Sequence, residues 1–394
     1  MKIILFNWFL LVKKSEADTI VLAIDFARRS FDFSRERITM VRYVSLLALA
    51  GVCGLAHGQD VLLIPDSTSD RVWMFSAADG SLIDDSFITD PGSDNGVDVF
   101  DRPMEVLLAT DGSLLVTDQF ANVVSQFNAD GSFVGVLSLG GVEDTNIMNN
   151  IRGGHVLTQG PGAGDVLVTN SGAFNDLVVS QKNVKRLDPA DGSEKQDFVF
   201  NRYGGIRGPF DVIEYNGEVL VADEGQDKIV RYTLDGKFNE RFTSSFVVPQ
   251  LDFPQQMAIA SNGNLLVCSF SNGVILEFDS DANLVGQYDP GNLELYRGIA
   301  ELDNGNFLVS TTTGVFEVTR AGVVVETEAA GTGFRYMTRF SLPAGLLIRE
   351  SRVGIDREPI AMPAADTRSK QDAIADELGL NHQDDQAITG EGSK

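Results

Sequence analysis

Leu114–Gly131 reads LLVTDQFANVVSQFNADG: an apolar strand closing on a small polar residue, a polar loop, a second apolar strand and an Asp-Gly turn. The same order returns in LLIPDSTSDRVWMFSAADG from Leu62 and in VLVADEGQDKIVRYTLDG from Val219. Shorter copies start at Val166 (VLVTN), Leu265 (LLVCS) and Phe307 (FLVST). A unit that returns about every 40–50 residues, with four short strands in each, describes the blades of a β-propeller.

The turns give the number of blades. Asp-Gly and Asn-Gly favour the tight, positive-φ turns that join twisted antiparallel strands. First-to-second-strand turns fall at Asp111-Gly112, Ala163-Gly164, Asn216-Gly217, Asn262-Gly263 and Asn304-Gly305. Third-to-fourth-strand turns fall at Asp79-Gly80, Asp130-Gly131, Asp191-Gly192, Asp235-Gly236, Asp281-Ala282 and Ala321-Gly322. The second set has one more member than the first, so the first blade opens on its second strand, DVLLIPD from Asp60. The missing strand is supplied by Phe334–Leu342 (FRYMTRFSL), which closes the ring and removes exposed sheet edges. The expected fold is all-β: a six-bladed propeller over residues 59–342, built of four-stranded antiparallel blades. An insertion between Asn170 and Asn183 (SGAFNDLVVSQK) lengthens a loop of the third blade, a place where binding residues are often carried.

Outside the repeats the chain changes character. Met40 opens a secretion signal: Arg42 gives it charge, Val44–Leu55 is a short apolar run, and Ala56-His57-Gly58 is a cleavage site before Gln59. The apolar run is too short to span a bilayer stably. Residues 1–39 then read as a non-native or misassigned extension, and the expected location is secreted or periplasmic. Residues 343–394, with 6 Lys/Arg and 10 Asp/Glu, read as a polar, disordered tail broken by one short helix near Ser369–Leu380. Cys268 is the single cysteine after Gln59, so the exported chain has no internal disulfide.

The 394-residue chain carries a formal charge of −25. A surface of that sign repels phosphate backbones and anionic membranes, which argues against nucleic acid as a partner and against membrane insertion. A monomer that binds a small anionic ligand or an extracellular protein is expected. The sequence calls for no cofactor, calcium being the one ion that its many carboxylates would suit.

The repeats resemble the NHL family of propellers. The resemblance is carried by Arg102–Val134 (RPMEVLLATDGSLLVTDQFANVVSQFNADGSFV) and by Gly208–Asn239, and it covers residues 59–342. Such propellers include extracellular binding domains, sensors, lactonases, esterases and a zinc-dependent lyase. The lyase chemistry implied by the resemblance needs several histidines, and residues 59–342 contain only His155. The early Glu-Gly-Pro segment of the lactonase type is absent too. A binding module is therefore expected rather than an enzyme. The alternatives are a calcium-dependent lactonase or esterase and a purely structural cell-surface module.

Two series of residues are candidates for a site. The strand-closing position holds Asp66, Asp118, Asn170, Asp223, Ser269 and Thr311. Such residues stabilise tight loops by accepting backbone N–H bonds; the first four would also offer oxygen ligands to a metal. The second series is Arg102, Arg152, Arg207, Arg297 and Arg335, each at or just before an innermost strand. At the channel mouth these guanidinium groups, with Asp211 and His155 nearby, would make an anion-binding funnel. Alternatively, each would staple blades through an acid such as Asp118, Asp211, Asp223 or Glu105.

Overall fold

A computed structural model describes residues 59–138, 148–172, 182–200, 203–291, 293, 295–343 and 370–379. The secretion signal and residues 1–39 lie outside them, as do the middle of the third-blade insertion and most of the tail.

Six antiparallel sheets stand around a ring. The first is made of Thr338–Ser341, Asp60–Asp66, Arg71–Ser76 and Leu82–Thr89 in that spatial order. The C-terminal strand therefore forms the inner edge of the first blade, with Leu63 opposite Thr338 and Asp60 opposite Ser341. Four further blades repeat the four-stranded meander, their inner strands being Pro103–Leu108, Pro209–Tyr215, Pro254–Ile259 and Gly298–Glu301. The third blade has strands Ile151–Val156, Val166–Asn170 and Asn183–Leu187. Its outer segment is held by two bridges, Val184 to Val199 and Leu187 to Glu194.

The second strand of each blade is buried almost throughout because it has a neighbouring blade on either side. In Leu114–Asp118 successive side chains point to opposite faces. Leu114 and Val116 pack against Val61, Leu63 and Met74 of the first blade, whereas Leu115 packs against Ile151 and Val166 of the third. Six apolar clusters, one at each seam, make up the core of the ring. Cys268 is buried in the seam between the fifth and sixth blades, and burial pushes its thiol pKa well up.

The tight turns do what their residues dictate. Asn216 and Gly217 both have positive φ, 52° and 79°, as a two-residue hairpin of the favoured twist requires. Gly236 is constrained by packing as well: a Cβ there would overlap the backbone carbonyl of Phe198 in the preceding blade.

The short helix expected near Ser369–Leu380 forms over Lys370–Glu377, and it packs on the ring instead of standing apart from it. Ala373, Ile374 and Leu378 lie against Phe210, Phe253, Phe270, Leu295 and Tyr336. The spacing of 373, 374, 377 and 378 puts these apolar groups and Glu377 on one helical face. No helix among the described residues is long and apolar enough to cross a membrane.

Candidate functional site at the channel mouth

The inner strands begin at one end of the channel, and four of the five recurrent arginines converge there. Arg297 and Arg335 enter alike: each donates its backbone N–H to the carbonyl just before the strand-closing position, Ser310 and Pro65 respectively. Their side chains then meet at the carboxylate of Glu377. Arg297 Nε lies 3.0 Å, and Arg335 Nη1 2.6 Å, from the same oxygen, Glu377 Oε2. All three side chains are at most 1 % exposed, so both ion pairs are shielded from water. Arg297 Nη1 also donates to Thr332 O, and Arg335 Nε to Ser67 Oγ.

Arg102 and Arg152 complete the cluster. Arg102 donates from Nη1 to Asp376 O at 2.6 Å and from Nη2 to Asp376 Oδ1 at 2.7 Å, and lies over the Phe120 ring. Arg152 stacks on Phe210, 3.6 Å from the ring centroid, and bonds Ser171 Oγ, Asn150 Oδ1 and Glu377 O. Stacking and hydrogen bonding together let a guanidinium group stay buried.

The electrostatics follow from burial and from the excess of cations. Burial opposes ionisation of Glu377, but the charges of Arg297, Arg335 and Arg102 outweigh it and hold the carboxyl well below its usual range. Burial, and after it the like charge of Arg335, pushes Arg297 down to about 10. Burial likewise brings Arg152 down to about 10, against the opposing pull of Glu224. Glu224 itself is raised by burial to about 7.

Arg207 does not join the cluster. The backbone N–H groups of Asp101 and Arg102 donate to Asp118 Oδ2, and those of Arg207 and Gly208 donate to Asp223 Oδ1. Gly208, not Arg207, therefore stands where Arg102 stands. The one-residue offset leaves the Arg207 side chain exposed.

His155 is not at the mouth either. It lies further along its strand, towards the first-hairpin end of the channel, with Nε2 3.3 Å from Glu214 Oε2. Glu214 also accepts from the backbone N–H groups of Thr158 and Gln159. Burial would raise its pKa, but the bonds from the His155 ring, the Thr158 hydroxyl and the Thr158 N–H outweigh burial and lower it to about 2.

Among the described residues, the acids named for the alternative, blade-stapling role of these arginines bond to backbone N–H groups instead. Glu105 Oε2 accepts from Gly154 N of the third blade. Asp211 Oδ1 accepts from Val212 N and Oδ2 from Met257 N of the fifth blade. Gln256 Oε1 accepts from Ile299 N of the sixth blade and Met337 N of the first. Asp211 thus lies within the channel, where burial lifts its pKa to about 7. Burial and the charge of Asp211 raise Glu105 well above its usual range.

The strand-closing series serves the loops. Asp118 accepts four backbone N–H groups, from Asp101, Arg102, Phe120 and Ala121; burial nonetheless raises its pKa to about 7. Asp66 accepts from Thr68 N and Ser69 Oγ, and Asn170 Oδ1 from Asn149 N. Among the described residues no group of three or more His, Cys, Asp or Glu is arranged to hold a metal ion.

Sequence reasoning missed Asp376, Glu377, Gln119 and Asn150 as parts of the mouth. A signal was present in AIADELG, where an acidic pair ends a helix just before a glycine. Acids oppose the helix dipole at that end and need cations from elsewhere.

No family model and no curated protein sequence matches the chain. Its likeness is to solved propellers. A chain from a nidogen–laminin complex is 12% identical, with a TM-score of 0.55, over 72% of this chain and 100% of that one. A Bacteroides caccae protein of unknown function is 12% identical, over 72% of this chain and 99% of that one, with a TM-score of 0.49. A gluconolactonase from Xanthomonas campestris is 15% identical, over 72% and 90%, with a TM-score of 0.45. The chain is a six-bladed β-propeller. At these identities the likeness concerns the fold alone.

Proposed function

We propose that this propeller is a binding module, NHL-like and exported, whose channel mouth recognises a carboxylate-bearing ligand. The convergence of Arg297 and Arg335 on one oxygen of Glu377, with none of the three more than 1 % exposed, carries the reading. Burying guanidinium groups is costly unless they meet an anion, and here the anion comes from a segment remote in sequence. Among the described residues, Arg102, Arg297 and Arg335 bond to the side chains of Asp376 and Glu377, and Arg152 bonds to Glu377 O under the pull of Glu224, so guanidinium groups outnumber the carboxylates that meet them. On a chain of net charge −25 this cationic focus is a local exception, attracting an anion only at short range.

The test is calorimetric titration of the full-length Glu377→Gln protein with malonate, succinate and galacturonate. At least one should bind, and the further change Arg335→Ala should abolish binding. A folded Glu377→Gln protein that takes up no carboxylate would refute the assignment.

A further inference from the structure

The segment in the mouth is gripped by more than its charges. Arg102 donates to Asp376 O, Arg152 and Gln119 donate to Glu377 O, and Asn150 donates to Leu378 O. These carbonyls belong to the last helical turn and the residue after it, where the helix dipole concentrates negative charge and backbone donors run out; of the three, Asp376 O also accepts from Gly379 N. Gly379 ends the turn at φ 77°, and a Cβ on it would stand 3.0 Å from the Phe120 ring. Beneath the turn, Ala373 and Leu378 rest on Phe210, Phe253 and Tyr336. The mouth therefore reads a shape as well as a charge: the C-terminal end of a helix with an apolar face, an acidic pair and a glycine stop.

We infer that the mouth is a peptide-docking site for the acidic C-terminal turn of a helix, and that its partner is a segment of another protein presenting such a turn, with residues 370–379 serving as the chain's own occupant until displaced. The inference rests on the carboxylate reading above and names the ligand class. The chain's own segment leaves binding capacity unused. Arg152 Nε and Arg297 Nη2 are buried without a hydrogen-bond partner among the described residues, as is Glu377 Oε1. A second copy of this chain would bring the same segment and leave the same donors idle. A partner carrying an additional acceptor would engage them, and this favours a different chain. Residues 344–369 tether the resident segment, so it competes at the high effective concentration of an intramolecular ligand.

The test uses the full-length Asp376→Asn/Glu377→Gln protein and a capped, fluorescent peptide of residues 369–380, SKQDAIADELGL. Anisotropy should show binding at least about tenfold tighter than to the wild-type chain, and the peptide should raise the variant's melting temperature. A scrambled peptide of the same composition should do neither. Equal binding of the scrambled peptide, or uptake of malonate without uptake of the peptide, would overturn the peptide-docking inference while leaving the carboxylate site standing. Failure of both malonate and peptide on a folded variant would overturn both. A wild-type protein that sediments as a dimer, and becomes monomeric in the variant, would show that the partner is a second copy. If the double variant does not fold, the milder Asp376→Asn takes its place in the same titration, with the same outcomes.

Discussion

The mouth of the channel and its interior both bury charged side chains, and they neutralise them in different ways. At the mouth, guanidinium groups have no blade carboxylate as a hydrogen-bonded partner among the described residues and are met by Asp376 and Glu377 from the tail. In the interior, Glu105 and Asp211 have no cationic partner among the described residues and are met by backbone N–H groups of neighbouring strands. A carboxylate can be satisfied by the backbone because it only accepts and β-strands supply donors. A guanidinium group offers five donors, more than strand-end carbonyls can absorb, so it calls for an anion. The interior is therefore complete within the ring, and the mouth is completed by something that arrives.

This contrast sets an order of expected effects. The largest should come from Glu377→Ala, which strips the carboxylate from buried arginines; urea unfolding should show a loss of about 3 kcal/mol. Removing a partner from the interior should do the opposite of what its burial suggests. Glu105→Gln keeps an acceptor for Gly154 and removes the repulsion with Asp211, so stability at pH 8 should hold or rise. A marked fall at pH 8 would show that the charge of Glu105 is needed.

Acid should separate the two regions. Asp118, Asp211 and Glu224 are raised to about 7 by burial, so the folded ring holds protons that the unfolded chain has released. Its stability should therefore rise as pH falls from 8 to 5. Glu377 is shifted the other way: its contribution is complete above its ordinary value of 4.5 and is lost as pH falls further, through its lowered folded value. Melting temperatures at pH 8, 6.5 and 5 should climb, whereas hydrogen-exchange protection of residues 377–379 should stay constant over that range and fail in stronger acid. Glu105→Gln should flatten the climb.

Smaller effects should follow at the edges. Gly379→Ala forces a side chain into a left-handed backbone beside Phe120 and should loosen the tail by about 1 kcal/mol. Arg207→Ala removes an exposed side chain outside the cluster and should change stability by no more than about 0.5 kcal/mol. Carboxylate binding should be unaffected, and a loss of binding there would redraw the site.

Much of this architecture was legible in the chain. Repeated strand pairs and Asp-Gly turns marked six blades, and the missing first strand pointed to Phe334–Leu342 as the closing piece. Arg102, Arg152, Arg297 and Arg335 lie together as their shared position before an inner strand suggests, whereas Arg207 is set apart by the single residue that separates it from Gly208. His155 fails because a strand carries side chains the length of the channel, and spacing alone did not say which end it serves. The tail was read as separate because its polar composition gives no core of its own. Its helix is held by cations and an aromatic floor supplied by distant blades.

The sequence alone determined what local chemistry can determine. Period-two burial, turn residues and loop-closing aspartates act over a few positions, and their recurrence is enough to specify the blade and the number of blades. Only the tertiary structure decided which charges meet. Arg297 and Arg335 approach Glu377 because ring closure brings the start of one inner strand beside the next, and because a helix far along the chain settles across them. A long-range pairing of this kind leaves no periodic trace, since its energy depends on burial and geometry that exist only once the ring has closed.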